Sequence, residues 1–159
     1  CGLLDQMAIV FARKSHATMI NFDSLRVEYL PLPESWLFKL VDSGIHRKLS
    51  QVDYQTNKKY QSLHVDEENK RVIKALNSTA VELGELLNES HASLTKLGVS
   101  LPAIDNLVTK LQGTDGVLGA RMMGGGFGGM IIALVTDDNV LPNAIQVTSS
   151  SSFSFEELD

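Results

Sequence analysis

Apolar and polar positions follow three different rhythms along the 159 residues. Residues 2–12 are almost continuously apolar and predict a short helix buried on most sides. Residues 16–22 and 26–30 alternate and predict two strands, turned at Asp23-Ser24 and stopped by Pro31 and Pro33. Residues 36–41 read as a third strand, followed by a turn at Asp42-Ser43-Gly44. Residues 46–60 are polar and weakly patterned, and fit a helix or a loop. From Asp66 the rhythm changes. Val72, Leu76, Ala80, Leu83, Leu87, Leu94 and Leu97 recur at spacings near three and four, with a gap at Ser90-His91. This predicts one amphipathic helix or two end to end, with Asp66, Glu67 and Glu68 at the N-terminus and Gly98 as C-cap. A further helix is expected from Ser100 as N-cap, with Pro102 in its first turn. Its apolar stripe is Ile104, Leu107, Val108 and Leu111, and Gly113 and Gly116 close it. Residues 116–123 and 130–135 then read as strands. Residues 137–144 fit a short helix or a loop, 149–152 a polar spacer, and 153–156 an edge strand.

Between the last two long strands lie five of the chain's 12 glycines: Gly124, Gly125, Gly126, Gly128 and Gly129. Each costs roughly 0.5–1 kcal/mol relative to alanine inside an element, so the cluster implies positive φ angles or a close backbone approach. The spacing Gly124-x-Gly126-x-x-Gly129 satisfies a dinucleotide pattern. That pattern needs a following helix and an acid about 20 residues on. Here a strand-like run follows, and the region near residue 149 is serine, so the reading fails. A Walker A loop fails too, because no Lys-Ser or Lys-Thr follows the glycines. A structural hairpin and a substrate-proximal loop both remain open.

Composition narrows the partners. The net charge is −5 and no basic cluster carries interleaved aromatics, which speaks against nucleic acid and anionic membrane surfaces. The longest uncharged run, residues 122–136, is too short for a membrane span. The one cysteine, Cys1, allows no disulfide within the chain, and a cytoplasmic location is expected. The apolar start at Cys1 reads as a cut through a longer protein. Asp5 is an acid inside an apolar run: a first-turn helix acid, or a carboxylate whose surroundings raise its pKa for work as a base. The four histidines show no metal-ligand spacing, and no metal site is expected. Ser90-His91 suggests a nucleophile and base, but helix neighbours point in different directions. Tyr54, with Lys58 and Lys59 a turn on, reads as an exposed polar face.

Three segments together resemble galactokinases, members of the GHMP family of small-molecule kinases. They are Cys1-Gly-Leu-Leu-Asp-Gln6, Glu89-Ser-His-Ala-Ser-Leu94 and Leu118-Gly-Ala-Arg-Met-Met-Gly-Gly-Gly-Phe-Gly-Gly129. The last resembles the family's third conserved motif. The resemblance runs from residue 1 to about 136 and implies an α+β fold, with helices packed on an antiparallel sheet and a ferredoxin-like C-terminal domain. It implies a remnant of the N-terminal domain at residues 1–42, a connecting segment at 43–65 and the C-terminal domain at 66–159. The implied activity is a sugar 1-kinase, converting galactose and ATP to galactose 1-phosphate and ADP, with Mg2+. Asp5 corresponds to the catalytic aspartate beside the sugar C1 hydroxyl. Gly2 and Tyr54 fall at sugar-contacting positions, and Gly124, Gly125, Gly126, Gly128 and Gly129 at a motif lining the active site.

The chain also departs from the family. It has neither the first motif nor the serine-rich ATP phosphate loop, and the stretch after Tyr54 is shortened. Met123 stands where galactokinases usually have threonine, and Met130 where they often have cysteine. The chain alone is therefore expected to be inactive. Another GHMP kinase acting on mevalonate, galacturonate or N-acetylgalactosamine stays open, as does a non-catalytic sugar-binding member.

Overall fold

The computed structural model describes residues 3–45 and 58–152. The chain divides into two compact units, Cys1–Trp36 with Thr148–Asp159, and Leu37–Val147. The expected edge strand at 153–156 and most of the polar stretch at 46–60 lie outside the described residues.

The smaller unit holds helix α1 (Leu4–Val10) and an antiparallel hairpin of β1 (His16–Asn21) and β2 (Arg26–Pro31). Asn21 Oδ1 accepts the Ser24 amide at 2.9 Å and closes the turn, and Leu25 takes a φ of 53°. The expected burial of α1 on most sides is not met. Leu4, Ile9 and Val10 are all more than half exposed. A seven-residue helix beside a two-stranded hairpin has too little neighbouring surface to cover its apolar faces.

The larger unit builds a four-stranded antiparallel sheet in the order β4-β5-β3-β6, from β3 (Leu37–Asp42), β4 (Val117–Met122), β5 (Met130–Val135) and β6 (Ile145–Val147). The first strand, β3, lies inside, and the chain crosses from it through helices, three among the described residues, to the far edge, β4. This is the split crossover of a ferredoxin-like sheet. The usual second helix is replaced by turns at residues 137–144. The buried Lys39 ammonium on β3 holds those turns, donating to the Asp138 carbonyl at 2.7 Å. Strand β6 carries little apolar pattern, being exposed at Ile145 and Gln146, and its sequence gives no strand signal.

The long periodic region is two helices, α2 (Lys58–Ala75) and α3 (Ala80–Leu97). They break at Thr79, which caps α3: its hydroxyl accepts the Glu82 amide, while Glu82 accepts the Thr79 amide at 2.7 Å. Gly98 ends α3 at a φ of 83°. Because α2 begins eight residues before Asp66, the three acids lie in mid-helix and not at an N-terminus. Helix α4 (Pro102–Gln112) has Leu101 as its N-cap and not Ser100, whose hydroxyl is committed to Asp105 at 2.6 Å.

Ile104, Val108 and Leu111 of α4, Leu94 and Leu97 of α3, and Ala120, Met122, Ile131, Ala133 and Val135 of the sheet form one core. Helix α3 meets β4 backbone to backbone at Gly84 and Gly119. A Cβ on either would overlap the other segment's backbone oxygen, that of Leu118 or Gly84. The edge strand β4 is also masked by side chains. Asn88 Oδ1 accepts the Ala120 amide and Gln112 Nε2 donates to the Ala120 carbonyl, each at 2.9 Å.

Candidate active site

The glycine cluster is the hairpin between β4 and β5. Met123 N–H donates to the Met130 carbonyl at 3.0 Å, so the two departures from galactokinase text face each other at the mouth of the loop. The loop then runs through a series of left-handed backbone angles: Gly124 66°, Gly126 86°, Phe127 60° and Gly129 89°. At Phe127 this conformation is strained for a residue with a side chain, at a cost of roughly 1–2 kcal/mol. Docking offsets it. Phe127 N–H donates to the Val99 carbonyl at 2.9 Å, and Gly129 N–H to the Ile45 carbonyl at 3.0 Å.

Two glycines are dictated by that docking. A Cβ at Gly126 would overlap the Val99 oxygen, and one at Gly128 the Ile45 oxygen. Gly124 and Gly125 are exposed, and a Cβ at Gly124 would meet nothing within 4 Å. One part of the loop is thus pressed against the α3–α4 connection and the end of β3, while another presents bare backbone to solvent. Such backbone can approach a ligand closely.

Strand β4 also joins α2 and α3 in a polar network that the periodicity did not reveal. Arg121, on β4, donates through Nη1 to Glu68 Oε1 at 3.1 Å and to Ser90 Oγ at 2.7 Å. Ser90 Oγ also donates to Glu68 at 2.6 Å, and Arg71 donates to Glu68 at 2.9 Å. Burial by itself would raise the Glu68 carboxyl. Hydrogen bonds from Ser90 and Arg71, with the charges of Arg121 and Arg71, outweigh it and hold the group below its ordinary value. Burial pushes Arg121 below the usual guanidinium range, against the pull of Glu68. His64 Nδ1 and Tyr60 Oη both reach Ser93 Oγ, at 2.8 and 3.2 Å, and pin α2 to α3. A readable signal existed: Arg121 is a charge within an apolar strand and needs a partner.

His91 is buried next to this network. Its Nε2 lies 3.2 Å from Asp105 Oδ1, within ion-pair distance. Its Nδ1 receives the Met122 amide at 3.5 Å, the long limit of such a bond. Burial, the largest influence, pushes the imidazole below its ordinary value; Asp105 pulls it back and Arg121 pushes it further down. Ser90 and His91 serve different clusters, so no nucleophile and base are paired there.

Two of the lowered groups, His91 and Glu68, set the sign of an acid response. Each binds protons more readily unfolded than folded, so each contributes stability that is fully present at high pH. His91's share is lost as pH falls from about 6.5 through its lowered folded value, and Glu68's as pH falls below about 4.5. The urea midpoint is expected to fall between about pH 7.5 and 5, with a smaller fall in His91→Gln. A midpoint that rises on acidification would contradict this reading.

Asp5 occupies the first turn of α1 and is exposed. The apolar enclosure that the sequence suggested around it is not supplied by the described residues. Gly2 and Tyr54 lie outside those residues. Among the described residues no helix is long and apolar enough to cross a membrane. Nor do three His, Cys, Asp or Glu side chains come together there as a group able to hold a metal.

The sheet order, the helical crossover and the docked glycine hairpin define a class. Residues 72–147 match the family described as GHMP kinases C terminal, and this region of the chain belongs to that family. Within the class, the chain is similar to galactokinases. The galactokinase of Thermotoga maritima is 35% identical over 170 residues, covering 84% of this chain and 49% of the relative. The matched stretch is longer than this chain, so the relative carries residues here that this chain lacks. Lactococcus lactis galactokinase, solved complexed with galactose, shares the fold with a TM-score of 0.69 at 23% identity, over 99% of this chain and 56% of that one. L. major mevalonate kinase, solved with R-mevalonate, gives 0.62 at 17% identity, over 86% and 48%. The chain spans about half the length of the curated relatives it matches.

Proposed function

We propose that this chain is the C-terminal part of a sugar 1-kinase that phosphorylates galactose with ATP. The observation carrying this reading is the loop from Gly124 to Gly129, whose galactokinase-like text is folded as a docked hairpin with exposed backbone at its tip. The 35% identity to a galactokinase supports it.

In this reading the sugar C1 hydroxyl attacks the γ-phosphorus of ATP, the bond to the bridging oxygen breaks, and ADP leaves. Asp5 takes the hydroxyl proton or orients the hydroxyl for attack. Its exposure leaves it accessible to substrate. Gly2 and Tyr54 contact the sugar. The bare backbone of Gly124 and Gly125 lines the active site, while Gly126 and Gly128 fix the loop on its own unit. ATP and Mg2+ enter this proposal through the family, since the chain's sequence holds no serine-rich phosphate loop. A cytoplasmic setting accompanies it.

The isolated 159-residue chain is expected to release no ADP in response to galactose. The check is a coupled ADP assay at micromolar chain, with and without galactose. Galactose-dependent release would overturn the expectation. Mevalonate is the second substrate to test, because the fold is also that of a mevalonate kinase.

A further inference from the structure

Two of the contacts that hold the glycine hairpin to its unit lead to one pair of side chains, His91 and Asp105. The first point is the end of β4, where Met122 N–H faces His91 Nδ1 at 3.5 Å, one residue before the loop's closing pair. The second is the Val99 carbonyl, which receives Phe127 N–H at 2.9 Å. Val99 adjoins Ser100, and Ser100 Oγ donates to Asp105 Oδ1 at 2.6 Å. Thr95 Oγ1 donates to the same oxygen at 2.9 Å, and His91 Nε2 lies 3.2 Å from it. Asp105 therefore gathers α3, the α3–α4 connection and the imidazole at one carboxylate oxygen.

We infer that His91 and Asp105 are a positioning pair that seats the glycine loop at its β4 end and at Phe127, and that protonation of His91 releases the β4 end. The inference rests on the proposal that this loop lines the active site. The chemistry is that of one ring with two unlike nitrogens. With the proton on Nε2, facing the carboxylate, Nδ1 keeps a lone pair for the Met122 amide. A second proton must go to Nδ1. The acceptor then becomes a donor aimed at another N–H, and the contact is lost. The charged groups facing the ring are Asp105 from α4 and Arg121 from β4, the latter paired with Glu68 of α2. Asp105 favours the second proton; burial and Arg121 oppose it.

Amide hydrogen exchange by NMR on the full 159-residue chain, without substrate, tests this. Protection of Met122 and Phe127 is compared with Val108 in the middle of α4. In the wild type, Met122 protection is expected to drop about tenfold relative to Val108 as His91 takes its second proton, the size expected for one lost hydrogen bond. His91→Gln is expected to lose that protection at every pH, and His91→Asn, which offers an oxygen near the Nδ1 position, to restore most of it. Ser100→Ala is expected to lower Phe127 protection while sparing Val108. Unchanged Met122 protection across the His91 titration in the wild type would overturn the inference, as would losses of equal size at Val108. No turnover enters this readout. A coupled loop in a chain that completes no active kinase would sink the kinase reading alone. An uncoupled loop in an active one would sink this inference alone.

Discussion

Gly119→Ala is expected to cost the larger unit about 3 kcal/mol or more, a large share of the roughly 5–15 kcal/mol that holds a typical domain together. The added methyl would overlap the Gly84 carbonyl, carbon and Cα together. None of these is the end of a flexible side chain. Relief requires α3 to move away from β4, and that motion would also pull Asn88 from the Ala120 amide and Ser90 from Arg121. Gly84→Ala, meeting the Leu118 backbone from the other side, is expected to behave alike. Gly124→Ala is the control. Its φ of 66° is left-handed but the space is open, so only backbone strain is incurred, about 1–2 kcal/mol. Urea midpoints by circular dichroism order the three variants. A Gly119→Ala chain as stable as Gly124→Ala would mean that α3 and β4 are not in backbone contact.

Asp5→Asn is expected to lower turnover about a thousandfold once the chain is completed to a working kinase, for instance with the first half of the Thermotoga maritima galactokinase. Removing a group that takes a proton only as the transition state forms lowers kcat and kcat/KM together. The fold should barely notice. Asp5 is an exposed first-turn acid, and its favourable interaction with the helix dipole is worth about 0.3–1 kcal/mol. The substitution thus separates its two readings: a large kinetic loss with a small stability loss marks a base. A small stability loss with unchanged kcat marks only a helix acid.

Much of the larger unit was legible because burial leaves a period in the sequence. The stripe Ile104, Val108, Leu111 and the strands flanking the glycines follow from that period alone. The break at Thr79 was legible in principle, since Thr79 and Glu82 form a capping box, but the apolar repeat runs through it. The glycine cluster announced an unusual backbone. It did not say which glycines answer to packing and which to open space, because that depends on Val99 and Ile45, distant in sequence. The Arg121, Glu68 and Ser90 cluster was illegible for the same reason: its members sit 22 to 53 positions apart. The inferred burial of α1 failed because apolar runs report a tendency to be covered, not the presence of a cover. The roles of Asp5, Gly2 and Tyr54 came from likeness to a family and from nothing in their spacing.

The central claim is that this chain supplies the C-terminal part of a galactose kinase. Its most direct test is ADP release by the completed enzyme, measured with galactose, with mevalonate and with no acceptor. The expected result is release that depends on galactose, yields galactose 1-phosphate and disappears in Asp5→Asn. A folded assembly that binds galactose yet releases no ADP, or one that responds to mevalonate alone, would contradict it.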